Sequence, residues 1–181
     1  YSQDKVIAEK FKSLTNNYRD SLRAALPSDS EKKMILDEIR AIYTNQFEEA
    51  FRINDFRLSR VEPGTSEYAL VTYHRSMIYE RQGDREGRKY FLALSALSDI
   101  QSATKDHASL WMLAKILYNE DDLSRAYNYM RFSWNETVFF NARLRQLQSA
   151  LILSIIDKTY QAKIEKQKQK LQNDLYSTPH Y

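Results

Sequence analysis

Apolar residues recur at every third or fourth position through most of this chain, and this spacing predicts amphipathic helices. The clearest early example is a stripe that ends before Pro27, a residue that stops a helix. The stripe consists of Ile7, Phe11, Leu14, Tyr18, Leu22 and Ala25. Because the opposite, polar side of this helix mixes acids with bases, we expect the stripe to dock on the next helix rather than to lie on a membrane surface.

The strongest pattern predicts two consecutive helix-turn-helix units over residues 70–98 and 107–133. In the first unit Gly83 is placed to end the first helix in a left-handed conformation, and Asp84 can cap the second helix. The second unit turns at Asp121, which is 38 residues after Gly83. This interval is close to the ~34-residue period of tetratricopeptide repeats. The pattern therefore predicts an α-solenoid.

In the segment between the first helix and these units, the pattern predicts a second helix and allows two positions for its C-terminal end. Residues 28–30 offer helix caps, and apolar residues continue at helical spacing beyond them. The second helix either breaks near Asn45 or runs to Ile53, with a further turn or helix over residues 55–61. Both alternatives stand because Asn54 can equally cap or interrupt a helix.

After the two units the pattern becomes one long helix that continues past its own apolar stripe. Only Ile164 and Leu171 keep heptad spacing in a stretch with excess lysine, which predicts either a solvated helix end or a weak coiled coil. We interpret residues 1–176 as one helical-repeat domain with a frayed tail over 177–181. Its parts are N-terminal capping helices over 1–61, the two units over 66–134 and a long C-terminal helix over 137–176.

Composition supports an all-α fold. The 181 residues include only 3 Gly and 3 Pro, and 28% are charged, which leaves little turn chemistry for a sheet. Cysteine is absent, so disulfides, thiolate catalysis and cysteine-based zinc sites are excluded. No run approaches the ~20 apolar residues that cross a bilayer. The chain as it stands is predicted to be soluble, and its start at Tyr1 indicates a processed product or an excised piece.

The sequence contains no recognisable catalytic, nucleotide-binding or metal-binding motif. Its three glycines open neither a GxxxxGK nor a GxGxxG pattern, and no serine stands in GxSxG. His74, His107 and His180 form neither an HExxH motif nor an i, i+4 pair. We therefore predict that the protein is not an enzyme and takes no cofactor and no metal.

The charge distribution argues against direct nucleic-acid contact. The net charge is only +3, and basic and acidic residues are interspersed along the chain. The best basic patch lies on the long C-terminal helix and consists of Arg143, Arg145, Lys158, Lys163, Lys166, Lys168 and Lys170.

Several residues of the two units resemble the tetratricopeptide repeat. The matching positions are Leu113, Ala114, Leu117, Ala126 and the turn at Gly83 and Asp84. Two positions of the first unit depart from the repeat, since Arg75 occupies an expected leucine site and Arg88 an expected alanine site. The first unit therefore either packs less tightly than the consensus or buries the stem of an arginine.

The runs LSALSDIQSAT and FFNARLR are similar to a family of bacterial tetratricopeptide-containing transcriptional regulators, and the likeness covers roughly residues 30–170. In that family, the resemblance implies, a secreted or periplasmic helical-repeat sensor precedes a membrane helix and a coiled-coil segment leading to a cytoplasmic output. The resemblance implies an inner-membrane-anchored parent with this domain in the periplasm. Membrane contact would come only through a segment absent from this chain.

Stacked helix pairs form a concave face from the first helix of each pair, and such faces bind peptides. The candidate partner-binding residues on this face are Tyr73, Met77, Arg81, Trp111, Lys115 and Tyr118. We therefore predict a protein-binding or peptide-binding sensory module that relays binding through the C-terminal helix. The alternative is a structural scaffold that forms a homodimer through that helix, and a direct DNA binder is a third, less favoured interpretation.

Overall fold

The computed structural model describes residues 2–104, 108–139 and 143–177, which form eight α-helices and no strand. The predicted all-α, tetratricopeptide-like fold is confirmed. The helices are α1 (Ser2–Ala25), α2 (Glu31–Tyr43), α3 (Phe47–Leu58), α4 (Ser66–Gln82), α5 (Arg85–Gln101), α6 (Ala108–Asn119), α7 (Leu123–Phe139) and α8 (Arg143–Ser177).

Three successive helix pairs, α2–α3, α4–α5 and α6–α7, turn in the same way. Each turn contains one residue in the left-handed conformation: Asn45, Gly83 and Asp121, with φ of 58°, 77° and 61°. The amide of the following residue bonds to the carbonyl five positions earlier, at 2.9 to 3.0 Å, as at a Schellman helix end. The intervals from 45 to 83 and from 83 to 121 are both 38 residues. The repeat therefore includes a third, N-terminal pair in addition to the two predicted units.

This N-terminal pair, α2–α3, shows where the second helix ends. Of the two alternatives, the break near Asn45 is the one observed, and the chain then re-enters a helix that ends at Leu58. Asparagine adopts the left-handed conformation more readily than other side chains do, so it serves here where the next pair has Gly83.

Packing between neighbouring helices makes the pairs into a stack. α3 packs on α4, α5 on α6, and α7 on α8. One apolar cluster joins the last two pairs to α8 around Leu92, Leu117 and Ile156, and another joins α2 to α4 around Ile42 and Ile78. Full burial of one such side chain contributes about 1.5–3 kcal/mol. Through these helix contacts and the two clusters, the stack is continuous from α2 to α8.

The two arginines that depart from the repeat consensus are accommodated by partners. Arg75 is only 14% exposed, lies 4.4 Å from the centre of the Phe51 ring, and pairs with Asp55. Arg88 pairs with Glu80 at 2.8 Å. The first predicted unit thus buries an arginine stem, which is the second of the two alternatives given above.

The predicted docking of the α1 stripe is wrong. Every apolar side chain of the stripe is exposed, from 41% for Leu14 to 75% for Tyr18. The helix instead turns its polar side toward α2, where Arg23 bonds to Asp37 at 3.1 Å. Periodicity located the stripe, but the direction in which it points depends on a tertiary contact that one helix does not encode.

The C-terminal boundary also differs from the prediction. The helix expected to end at residue 133 continues as α7 to Phe139, and α8 begins at Arg143 rather than at 137. Neither Gly nor Pro occurs between residues 133 and 139, so nothing in the sequence ends the helix earlier. Residue 107, the predicted start of the second unit, and residues 178–181 of the predicted tail lie outside the described residues.

Candidate protein-binding face

The first helices of the three pairs, α2, α4 and α6, carry corresponding positions because their turns are 38 residues apart. Three rows of such positions are Ile35, Tyr73 and Trp111; Ile39, Met77 and Lys115; and Tyr43, Arg81 and Asn119. All the predicted binding residues except Tyr118 fall in these rows. We name the surface that these rows make the first-helix face.

The predicted residues on α4 have three different environments. Tyr73 is half-buried against the apolar cluster around Leu92 and lines a cleft of about 210 Å³ between α4, α5 and α6. Met77 packs on the cluster around Ile42. Arg81 is exposed, and its guanidinium carbon lies 4.9 Å from the centre of the Tyr43 ring. Arg81 therefore faces α2.

The predicted residues on α6 also differ in their environments. Trp111 is half-buried, and its indole N–H is shielded from solvent without a hydrogen-bond acceptor in the described structure. Lys115 is exposed. The Tyr118 hydroxyl lies 3.3 Å from Thr159 Oγ1, so α8 covers this tyrosine. The six residues thus span the face from α2 at one end to α8 at the other.

A groove at the α2 end of this face was not predicted. It encloses about 590 Å³ between the polar side of α1, α2 and the end of α4. We name it the N-terminal groove. Its lining residues are Lys12, Thr15, Asn16, Arg19, Asp20, Arg23, Leu36, Ile39, Arg40, Tyr43, Thr44 and Arg81. The available signal was the spacing of Lys12, Asn16, Arg19 and Arg23, which follow one another at intervals of 4, 3 and 4 opposite the apolar stripe.

A buried polar cluster between α2, α3 and α4 was also missed. Glu38 is fully buried and accepts hydrogen bonds from Asn54 Nδ2 at 2.6 Å and from His74 Nδ1 at 2.8 Å. Its second oxygen also pairs with Arg57 Nη1. Glu38 corresponds to Ser76 and Ala114 of the later pairs, so a charged residue occupies a site where those pairs have small ones.

The partners of Glu38 determine its ionisation. Burial alone would raise the pKa of Glu38, but the hydrogen bond and charge of His74, the charge of Arg57 and the hydrogen bond of Asn54 together lower the pKa below its ordinary value of 4.5. The carboxylate is therefore charged at neutral pH. The cluster joins three helices electrostatically and is too enclosed to meet a partner.

The model of the SusR N-terminal TPR domain matches residues 1–151. The chain belongs to this family. No curated protein and no solved structure gave a match. The match ends inside α8 (Arg143–Ser177), so the last part of this helix lies beyond the matched residues. TPR domains are in general non-catalytic modules that mediate protein–protein interactions.

In residues 2–104, 108–139 and 143–177, no three His, Asp or Glu side chains come together as metal ligands would. Within the same ranges, no helix combines the length and the apolar character that crossing a bilayer requires.

Proposed function

We propose that this TPR domain is a non-enzymatic, peptide-binding or protein-binding sensory module of a transcriptional regulator or signalling protein. Its partner binds on the first-helix face, and α8 carries the response. The observation that carries this proposal is the pair of half-buried aromatic side chains, Tyr73 and Trp111, at corresponding positions on the first helices α4 and α6.

The neighbours of Trp111 support the same surface. Tyr73 holds the corresponding position on α4, and Lys115 is exposed one turn beyond Trp111. Tryptophan, tyrosine and arginine are the side chains that dominate binding energy at interfaces. The face thus offers two aromatic anchors beside a cation, which suits a peptide with an apolar residue and an acceptor.

The test uses the purified domain and random peptides displayed on phage, followed by titration of the selected peptides by fluorescence anisotropy. We expect Trp111→Phe, which keeps an aromatic ring but loses the larger indole surface, to weaken binding roughly tenfold. Tyr73→Ala should weaken it further. Lys168→Glu, on the exposed part of α8, is the matched control and should leave the dissociation constant unchanged. Selected peptides that bind both face variants as tightly as the wild type would rule out this face, provided that circular dichroism shows intact folds.

The proposal also includes the parent protein, which we place in the inner membrane with this domain in the periplasm. The resemblance to membrane-anchored regulators supports this placement. A topology reporter fused to the domain in the full-length gene product tests it. Reporter activity in the cytoplasm would contradict the placement.

A second candidate function is a dimerisation scaffold, and α8 carries the observation that favours it. Ile164, Leu171 and Leu175 are 42%, 64% and 74% exposed on one side of this helix, as expected for the seam of a coiled coil. Light scattering of the full chain, of Leu171→Glu and of a chain ending at Gln161 tests this function. A monomer in all three would exclude it.

A further inference from the structure

The walls of the N-terminal groove are strongly cationic. Five of its lining side chains are basic and only Asp20 is acidic, although the whole chain carries a net charge of only +3. The basic residues come from three helices and face a common space: Lys12, Arg19 and Arg23 from α1, Arg40 from α2 and Arg81 from α4. The groove therefore brings cations from three separate helices around one enclosed space.

Most of these cations have no carboxylate partner. Arg23 bonds to Asp37 at 3.1 Å and lies 3.9 Å from Asp20. In the described residues, the other four form no ion pair with a carboxylate, and the guanidinium of Arg81 lies over the ring of Tyr43. Cations within a concave surface attract anions more strongly than the same cations on a flat surface, because the low-dielectric walls focus the field.

The floor of the groove is apolar. Leu36, Ile39 and Tyr43 of α2 lie beneath the charged walls. Ile39 and Tyr43 belong to the same rows as Met77 and Arg81, so the floor is the N-terminal end of the first-helix face with α1 placed over it. An occupant must therefore combine negative charge with at least one apolar side chain.

We propose that the N-terminal groove binds an acidic peptide segment of a protein partner, in an inference that rests on the peptide-binding function proposed above. Asp or Glu side chains of the segment pair with Arg19, Arg40 and Arg81, and an apolar side chain packs on Ile39 and Tyr43. Arginine suits this role because its planar guanidinium binds a carboxylate through two parallel hydrogen bonds.

The shape of the groove favours a peptide over other anions. Its volume of about 590 Å³ falls within the roughly 300–1,000 Å³ of ligand clefts. A groove of this volume is too small for a nucleic-acid duplex. An anionic membrane surface would reach the exposed apolar stripe of α1, but that stripe lies on the side opposite the groove cations. A peptide strand or a single helical turn can enter the groove and reach both walls.

The test compares peptides of about 12 residues, about 18 Å long as helices, selected from a phage-displayed library by the wild type and by Arg40→Glu. We expect the wild type to enrich peptides with several Asp or Glu residues and an apolar residue, and Arg40→Glu to lose this enrichment. For a selected peptide, Arg40→Glu and Arg19→Glu should each weaken the dissociation constant about tenfold or more, and added salt should weaken it further.

Three controls make the result decisive. Lys168→Glu removes the same charge from α8 and should change the dissociation constant less than twofold. Arg40→Lys should retain part of the binding. DNA and vesicles of anionic lipid should bind no more weakly to Arg40→Glu than to Lys168→Glu.

Selection without acidic enrichment, or acidic peptides that bind Arg40→Glu as tightly as the wild type, would overturn the inference. Loss of DNA or vesicle binding in Arg40→Glu alone would assign the groove to those partners instead. Peptides that depend on Trp111 and Tyr73 but ignore Arg40→Glu would leave the proposed function in place and remove only this groove.

Discussion

The buried carboxylate of Glu38 links the three helices at the N-terminal end of the stack. Its partners come from α3 and α4, namely Asn54, Arg57 and His74. All four side chains are at most 6% exposed. A buried ionic cluster of this kind is costly to break, because removing one member leaves the opposite charge without a partner in a medium of low polarity.

Replacing Glu38 with glutamine should therefore destabilise the fold far more than its nearly unchanged shape suggests. We expect Glu38→Gln to lower the free energy of unfolding by about 3–5 kcal/mol, since Arg57 keeps a buried charge without a counterion. Urea unfolding monitored by circular dichroism measures this loss. The exposed Glu49 provides the control, and Glu49→Gln should cost less than about 1 kcal/mol. A loss for Glu38→Gln no larger than that of the control would contradict a structural role for the cluster.

The same residue predicts how stability depends on pH. Because the folded pKa of Glu38 is lowered, its contribution is fully present above the unfolded value of 4.5 and is lost as the pH falls through the folded pKa. We expect the free energy of unfolding to fall more steeply below about pH 4.5 in the wild type than in Glu38→Gln. Urea titrations of both proteins between neutral and acid pH measure this difference. Parallel curves for the two proteins would show that Glu38 does not contribute.

At the scale of single elements, the left-handed residue at each turn sets the length of the first helix of each pair. Asn45 and Asp121 bear the steric cost of a side chain in this conformation, whereas Gly83 does not. A Cβ added at Gly83 would meet no atom within 4 Å. The effect of a substitution at Gly83 on stability consequently comes from the backbone conformation and not from a steric clash.

Gly83→Ala should destabilise the protein by about 1 kcal/mol, because alanine is strained at positive φ. Gly83→Asn is the matched variant and should cost less, since asparagine tolerates this conformation and is already found at the equivalent Asn45. Thermal and urea unfolding of the two variants measure the order. Equal stabilities for alanine and asparagine would indicate that the turn relaxes to negative φ.

Local signals explain which elements the sequence could predict. Periodicity located all the helices from α4 to α7, and Gly83 with Asp84 marked a turn that the structure shows, where Asp84 Oδ1 accepts from the Gly87 amide at 2.9 Å. The sequence did not determine whether the second helix ends at Asn45, because asparagine serves equally as a cap, a turn or a helix residue. The orientation of α1 was missed because it is set by contacts such as that between Arg23 and Asp37, which are distant in sequence.

The candidate site was predictable only where the repeat is regular. The positions of Tyr73, Met77, Trp111 and Lys115 follow from the helical period and the turn spacing, so the sequence could place them on first helices. The N-terminal groove requires α1 to lie across α2 with its polar side inward, and no local pattern specifies that arrangement. The acceptor-free indole N–H of Trp111 likewise appears only once its surroundings are known.

At the scale of the whole molecule, the body of the stack ends within α8. Tyr160 stacks on Tyr127 with ring centres 4.2 Å apart, and Thr159 meets Tyr118. Every described side chain from 161 to 175 is exposed. The last packed positions therefore lie close to residue 160.

This boundary predicts the effect of truncation. A chain ending at Gln161 should keep the free energy of unfolding of the full chain to within about 0.5 kcal/mol. A chain ending at Asp157 loses the Tyr160 stack and should be about 1–2 kcal/mol less stable. Urea unfolding of the three chains measures both differences. A large loss for the longer truncated chain would mean that the exposed part of α8 contacts the body or another copy.

The continuity of α8 has a mechanical consequence. In the earlier pairs a left-handed residue divides two helices, and the next position in the same 38-residue series is Thr159, which lies inside an unbroken helix. The 35 residues of α8 span about 52 Å, and those after 160 span about 25 Å. A rotation of the last pair by about 5° would move the end of this lever arm by roughly 2 Å, a displacement comparable to known interface switches. Because this turn is missing, the displacement of the C-terminal end of α8 reports a change in the curvature of the helix stack.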